Sequence, residues 1–232
     1  MIDGHIHVTK DLLPYLREVR CIANADSPEE YRFLKEVAIP GMVVSAGVHP
    51  WKADTTSWTD MEPILKETAV IGEIGLDNEW CSVDMEVQRR MFHRQLDLAS
   101  VLHTPVVLHT KGVEREILDT IRRHPNRYLI HWYACTDWLQ DYINYGCWFT
   151  VGPDAALDRA VEHLAKTVPA DRLLIESDGI EGIGWGQGVT LTPVEYPSAM
   201  ERHLQTVAAL RGVSVSWLAE RMEQNLDAFL RT

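Results

Sequence analysis

Eight short runs of apolar and β-branched residues recur along this chain, with stretches of helical spacing between them. The runs cover residues 2–8, 19–25, 42–48, 70–76, 105–110, 128–133, 147–151 and 173–177. Ser27-Pro28-Glu29-Glu30 reads as an N-cap, a proline at the first helical position and acids in the first turn. Asp84 opens a segment through Leu102 in which Val87, Met91, Gln95-Leu96 and Leu98-Ala99 recur at helical intervals. Residues 114–123, 137–145, 155–166 and 197–211 follow the same logic, and a last helix runs from Ser214 or Ser216 to Leu230. Strand and helix alternating eight times predicts a parallel (β/α)8 barrel of TIM type, an α/β fold. An open doubly wound sheet is the alternative, but no G-x-G-x-x-G follows the first strand. No repeat, low-complexity tract or linker is visible, so residues 1–232 are read as one domain. Residues 179–188, "GIEGIGWGQG", are read as a long irregular segment, placed where a barrel carries an active-site loop.

Composition narrows the function classes. Hydrophobic residues make up 46% and charged residues 24%, ordinary for a globular chain with a real core. Asp plus Glu is 34 against 22 for Lys plus Arg, a formal net charge of -12. That balance argues against a broad nucleic-acid-binding face, so any such contact is local. Cys21, Cys81, Cys135 and Cys147 form no C-x-x-C pair, which suggests neither a zinc knuckle nor a disulfide framework. No signal-peptide pattern follows Met1 and no apolar run is long enough for a membrane helix, so the cytoplasm is expected.

The chemistry gathers at strand ends. His5 and His7 sit two apart in the first run, so in a strand both project to one face, and two neutral imidazoles facing one space suit a metal ion. Alone, the pair fits chance histidines equally well. The fourth run contains Glu73, the fifth ends at His109, the sixth carries His131, and the eighth is followed by Asp178. Each singly has a bland reading as a salt-bridged, core or capping residue. A buried charge needs a partner or a metal, and five strands delivering such residues to one rim point to a metal centre.

On these residues the chain resembles the TatD-like metal-dependent hydrolases of the amidohydrolase superfamily. The opening D-x-H-x-H is Asp3, His5 and His7, and G-x-H-P is Gly47-Val48-His49-Pro50. G-E-I-G-L-D is Gly72 to Asp77 unchanged, and the helix pattern Q-x-x-x-F-x-x-Q-L-x-L-A is carried by Gln88, Phe92, Gln95, Leu96, Leu98 and Ala99. P-V-V-I-H-[ST]-R becomes Pro105 to Lys111, E-[ST]-D is Glu176-Ser177-Asp178, and the late Asn pattern is Asn225 to Phe229. The resemblance covers nearly the whole chain. It implies a distorted barrel in which His5, His7, Glu73, His109, His131 and Asp178 hold one or two divalent ions (Zn, Mn or Mg). Glu73 would bridge them and Asp178 would orient or deprotonate the attacking water. It further implies deoxyribonuclease activity of exonuclease type, or action on D-aminoacyl-tRNA.

The substrate side departs from the family pattern. After Asp178 the chain has Gly179-Ile180-Glu181-Gly182, without a clear counterpart to the family's Arg-Asn pair, and the sixth strand reads His131-Trp132-Tyr133-Ala134-Cys135. The expected activity is metal-dependent hydrolysis of phosphodiesters, with a small molecule or a nucleic-acid end as substrate. Amide, ester or lactone hydrolysis on the same barrel is the alternative, and a non-catalytic metal-binding barrel the third reading. Asp3 is expected behind the ligands, orienting them or serving structure, with a direct ligand role as the alternative. His49 and Lys111 are expected to contact substrate, with a turn histidine and a solvated lysine as the plain alternatives. Trp51, Trp80, Trp132 and Trp185 follow strands, where they could wall the pocket, with packing under loops as the default. His93, His103, His124, His163 and His203 are read as ordinary surface or packing residues.

Overall fold

The computed structural model describes residues 1–231. Eight strands, β1 Ile2–Ile6, β2 Arg20–Ala25, β3 Met42–Ala46, β4 Val70–Asp77, β5 Val106–Lys111, β6 Tyr128–Ile130, β7 Trp148–Val151 and β8 Leu173–Ile175, pair in sequence order in one sheet. Every neighbouring pair from β1 through β8 is parallel. The helices are α1 Pro28–Val37, α2 Trp58–Glu67, α3 Met85–Leu102, α4 Glu114–Ile121, α5 Leu139–Tyr145, α6 Arg159–Thr167, α7 Gly179–Gln187, α8 Tyr196–Arg211 and α9 Val215–Leu230. This is a nearly closed (β/α)8 barrel. Where β8 meets β1, the Asp178 amide donates to the His5 carbonyl at 3.1 Å. Among the described residues no helix is long and apolar enough to cross a membrane.

Local chemistry explains the elements. The Ser27 hydroxyl accepts from the Glu30 amide at 3.2 Å and caps α1. Asp84 accepts from the amides of Glu86 and Val87 and caps α3. Two glutamines on the buried face of α3 act as clamps. Gln88 accepts from the Asp77 amide and donates to the Asp77 carbonyl, at 2.9 and 3.0 Å. Gln95 does the same to Val48, at 2.6 and 3.1 Å. Each satisfies a backbone pair where a strand ends and so holds the segment entering the barrel mouth. At Gly75, β4 comes so close to β5 that a Cβ would lie 1.9 Å from the His109 carbonyl oxygen.

Several expectations change. The runs expected to reach residues 8, 48 and 177 end as strands at Ile6, Ala46 and Ile175, so His7 lies just past β1. Residues 179–188 are mostly the helix α7, not an irregular loop. Its glycines permit close packing: a Cβ on Gly182 would lie 2.6 Å from that of Asp178, and one on Gly184 2.7 Å from the Val189 carbonyl. Helix α2 lies where no helix was expected; it carries Pro63 in its interior and buries only Met61 and Leu65. The sixth strand stops at Ile130 because Trp132 turns the backbone to φ +37°. Helix α6 begins at Arg159, four residues later than its pattern suggested, because Asp158 caps it through the amides of Ala160 and Val161.

Candidate metal centre

Glu73 sits at the middle of the barrel mouth. The β4–β5 register shifts between Ile71 and Ile74, and such an irregularity re-aims the side chain it contains. The Glu73 side chain is only 3% exposed, and its two oxygens face two sets of histidines. Oε2 lies 3.4 Å from His5 Nε2 and 3.7 Å from His7 Nε2. Asp178 Oδ1 joins them, 3.3 Å from His5 Nε2 and 3.7 Å from His7 Nε2. Oε1 lies 2.8 Å from His109 Nδ1, 3.3 Å from His131 Nε2 and 3.5 Å from His49 Nε2. The residues His5, His7, Glu73, His109, His131 and Asp178, drawn from five strand ends, thus share one space.

Hydrogen bonds on the far side of each ring fix which nitrogen faces that space. Asp77 Oδ2 stands 3.1 Å from His109 Nε2, and Glu176 Oε2 stands 3.2 Å from His131 Nδ1. A carboxylate only accepts, so each takes a hydrogen bond from the ring N–H, and in the neutral ring the other nitrogen turns its lone pair toward Glu73. His49 is the reverse. The Trp51 amide donates to its Nδ1 at 3.2 Å, so the neutral ring carries its proton on Nε2 and presents a donor to the centre. The Asn24 amide lies 2.9 Å from His5 Nδ1 and sets that ring's rotation.

A divalent cation fits this arrangement. The buried His5 Nε2 has no hydrogen bond of acceptable direction, although two carboxylate oxygens lie within 3.4 Å. Three sets of donors, His5 with His7 and Asp178, His5 with Glu73 and His131, and His49 with Glu73 and His109, each lie within 4.8 Å of one another, near the spacing of about 3.4 Å between donors of a tetrahedral site. The charges agree. Burial alone would push the Glu73 carboxyl up, yet His131, His49 and His5 hold it well below its usual range. Burial opposes a charge on His109, yet Asp77 and Glu73 carry it up to about 9. His5 is raised well above the ordinary range against burial, by Glu73 and Asp178. Without a cation, the carboxylates draw protons onto the rings; the pocket is made for positive charge.

The family model described as TatD related DNase matches residues 2–231. The chain belongs to the TatD family. A relative named 3'-5' ssDNA/RNA exonuclease TatD, from Escherichia coli (strain K12), is 26% identical over 197 residues, 78% of this chain and 75% of that one. The Homo sapiens protein named 3'-5' RNA nuclease TATDN2 is 26% identical over 146 residues, 57% of this chain and 19% of that one. The crystal structure of YJJV, a TatD homolog from Escherichia coli K12, superposes with a TM-score of 0.83 at 21% identity, covering 99% of this chain and 97% of that one.

Within this TatD barrel, the remaining expected residues fall in different places. His49 comes to the edge of the centre, 3.4 Å from His109 Nδ1. Lys111 stays on the rim, 3.5 Å from Glu79 and 4.1 Å over the Trp80 ring. Asp3 lies beneath the ligands and touches no ligand ring: it accepts from the Ser177 amide and hydroxyl at 3.0 and 2.5 Å and from the Tyr196 hydroxyl at 2.7 Å. Burial pushes its carboxyl up to about 7 against those bonds. Its contact with Ser177 anchors the residue before Asp178 to β1. Packing under loops describes only Trp132, since Trp51, Trp80 and Trp185 are exposed. Asp77, Glu176 and Asn24 back the ring nitrogens of His109, His131 and His5 and lie outside the expected site residues. The signal for the first two was a carboxylate inside an apolar strand end, which must be paired when buried.

Proposed function

We propose that the protein is a divalent-metal-dependent phosphodiesterase that hydrolyses nucleic acid from a strand end, with residues 1–232 working as one barrel domain. The observation that carries this reading is Glu73, whose two oxygens each face a separate set of imidazole donors. The names of the relatives supply the substrate class. His5, His7, Glu73 and Asp178 would hold one ion; Glu73, His109 and His131 would hold a second. A mixed imidazole and carboxylate set suits Zn or Mn better than Mg, which prefers oxygen ligands.

When bound, such ions lower the pKa of water from about 16 toward 7 and polarise the phosphoryl oxygen. The rest of the work falls to this chain. Burial would raise the Asp178 carboxyl, but His5, His131 and His7 hold it below its usual value, so it is ionised at neutral pH. Its side chain, 27% exposed, can take a proton from the attacking water and return it to the leaving oxygen. Burial keeps His49 neutral at pH 7, lowering its pKa, and its Nε2 proton, 3.5 Å from Glu73 Oε1 and 3.4 Å from His109 Nδ1 as measured from the nitrogen, is a donor at the edge of the centre for a phosphoryl oxygen bound there. Lys111 supplies a nearby cation for a backbone phosphate. The four cysteines are unpaired, which fits a reducing compartment, the cytoplasm.

The helix α7, with exposed Glu181 in its first turn where the family resemblance calls for an Arg-Asn pair, favours a second reading: an amide, ester or lactone hydrolase. Metal-loaded protein assayed on end-labelled single-stranded DNA and RNA, and on a panel of amides, esters and lactones, separates the two. Stepwise shortening of the oligomers supports the proposal. Turnover of the panel alone, or a full rate after chelation, overturns it.

A further inference from the structure

Three tryptophans from three separate segments form a row on the rim. Trp132, next to His131, meets Trp185 of α7 edge to face, with centroids 5.4 Å apart. Trp185 meets Trp80, in the segment after β4, at 5.7 Å and the same 73° angle. Lys111 Nζ covers the Trp80 ring at the outer end. The inner end is built rather than incidental. Trp132 has φ +37°, a region a bulky residue enters only under constraint. Its indole N–H donates to buried Asp154 at 2.9 Å, and a Cβ on Gly152 would fall 2.2 Å from that nitrogen. At the outer end, the Trp80 amide donates to Asp77 Oδ1 at 2.8 Å, the carboxylate whose other oxygen backs His109. The row is therefore fixed at its inner end beside His131 and at its outer end to Asp77, which backs His109. Yet Trp185 is 66% and Trp80 53% exposed.

We propose that Trp185 and Trp80, braced by Trp132, are a stacking platform for the bases of the strand end bound at the metal centre; this rests on the phosphodiester reading above. A chain of net charge -12 gains little affinity from phosphates at long range. Stacking on indole faces supplies affinity instead, and tolerates every base because every base has a π-face. The place where the family resemblance calls for an Arg-Asn pair is taken here by α7, which carries Trp185. Lys111, over the Trp80 ring and 3.5 Å from Glu79, offsets the charge of that carboxylate beside the stacked bases.

The test compares two probes on metal-loaded protein: a short thymidine oligomer with phosphorothioate terminal linkages, and the same oligomer with its terminal bases replaced by abasic units. Binding is read by anisotropy of a label at the distal end. The wild-type protein binds the base-bearing probe about 5- to 100-fold more tightly than the abasic one. Trp185→Ala and Trp80→Ala close most of that gap, Trp185→Phe restores part of it, and KM on the unmodified oligomer rises in step. Trp217→Ala, an exposed tryptophan on α9, leaves the gap intact. Equal binding of both probes by the wild type, or a gap unmoved in the rim variants, overturns the platform. If both oligomers are cut with the same KM, the platform alone fails; if neither is bound or cut, the phosphodiester reading fails with it.

Discussion

The two sides of Glu73 are built to different rules. On the Oε1 side, His109 and His131 have side chains 10% and 9% exposed, and each is backed by a carboxylate, Asp77 or Glu176. On the Oε2 side, His7 is 42% and Asp178 27% exposed, and His5 is backed by the neutral amide of Asn24. Closed, charge-backed ligand sets retain an ion, whereas sets open to solvent let water and substrate reach it. On the metal-dependent reading proposed above, the Oε1 side would retain an ion and the Oε2 side would carry the reaction.

Glu73→Gln removes the group common to both sides. Elemental analysis then finds neither ion, and oligomer shortening falls to background; retention of a full complement would dissolve the distinction. Asp178→Asn alters only the open side. Its kcat falls by about 10²- to 10⁴-fold, while the ion held by His109 and His131 remains, as metal analysis after gel filtration shows. Asp77→Asn and Glu176→Gln weaken metal affinity by about 10- to 100-fold, measured by competition with a fluorescent chelator. Asn24→Ala, behind the open side, has a smaller effect on that affinity.

The smallest effect isolates burial away from any ligand. Burial pushes the Asp154 carboxyl up to about 6. An unfolded Asp titrates near 4, so the folded chain binds more protons between about pH 4 and 6, and this group's contribution to stability declines as pH rises through that window. Asp154→Asn keeps an acceptor for Trp132 and abolishes the decline. Melting temperatures of variant and wild type therefore diverge from pH 4 to 6, by about 2–4 °C per kcal/mol for a chain of this length.

The barrel could be read from the sequence because its strands are short apolar runs at regular spacing, and the six central residues because each is ionisable where such a run ends. What the sequence hid was pairing across strands. Asp77 and Glu176 stand in plain motifs, but which imidazole each faces depends on neighbouring strand registers. The His49 tautomer follows from one backbone amide, that of Trp51, which no spacing reveals. Helix α7 escaped because glycine disfavours helices, and only the close approach of Gly182 to Asp178 explains its presence there. Helix α2 escaped because Pro63 reads as a breaker.

The contact of Asp3 with Ser177 spans 174 residues of chain. During synthesis, the N-terminal imidazole pair leaves the ribosome long before the acid that completes its half of the centre exists. No fragment ending before Asp178 can assemble that half, so on the proposed reading the uptake of its ion would report a chain whose two distant ends have met.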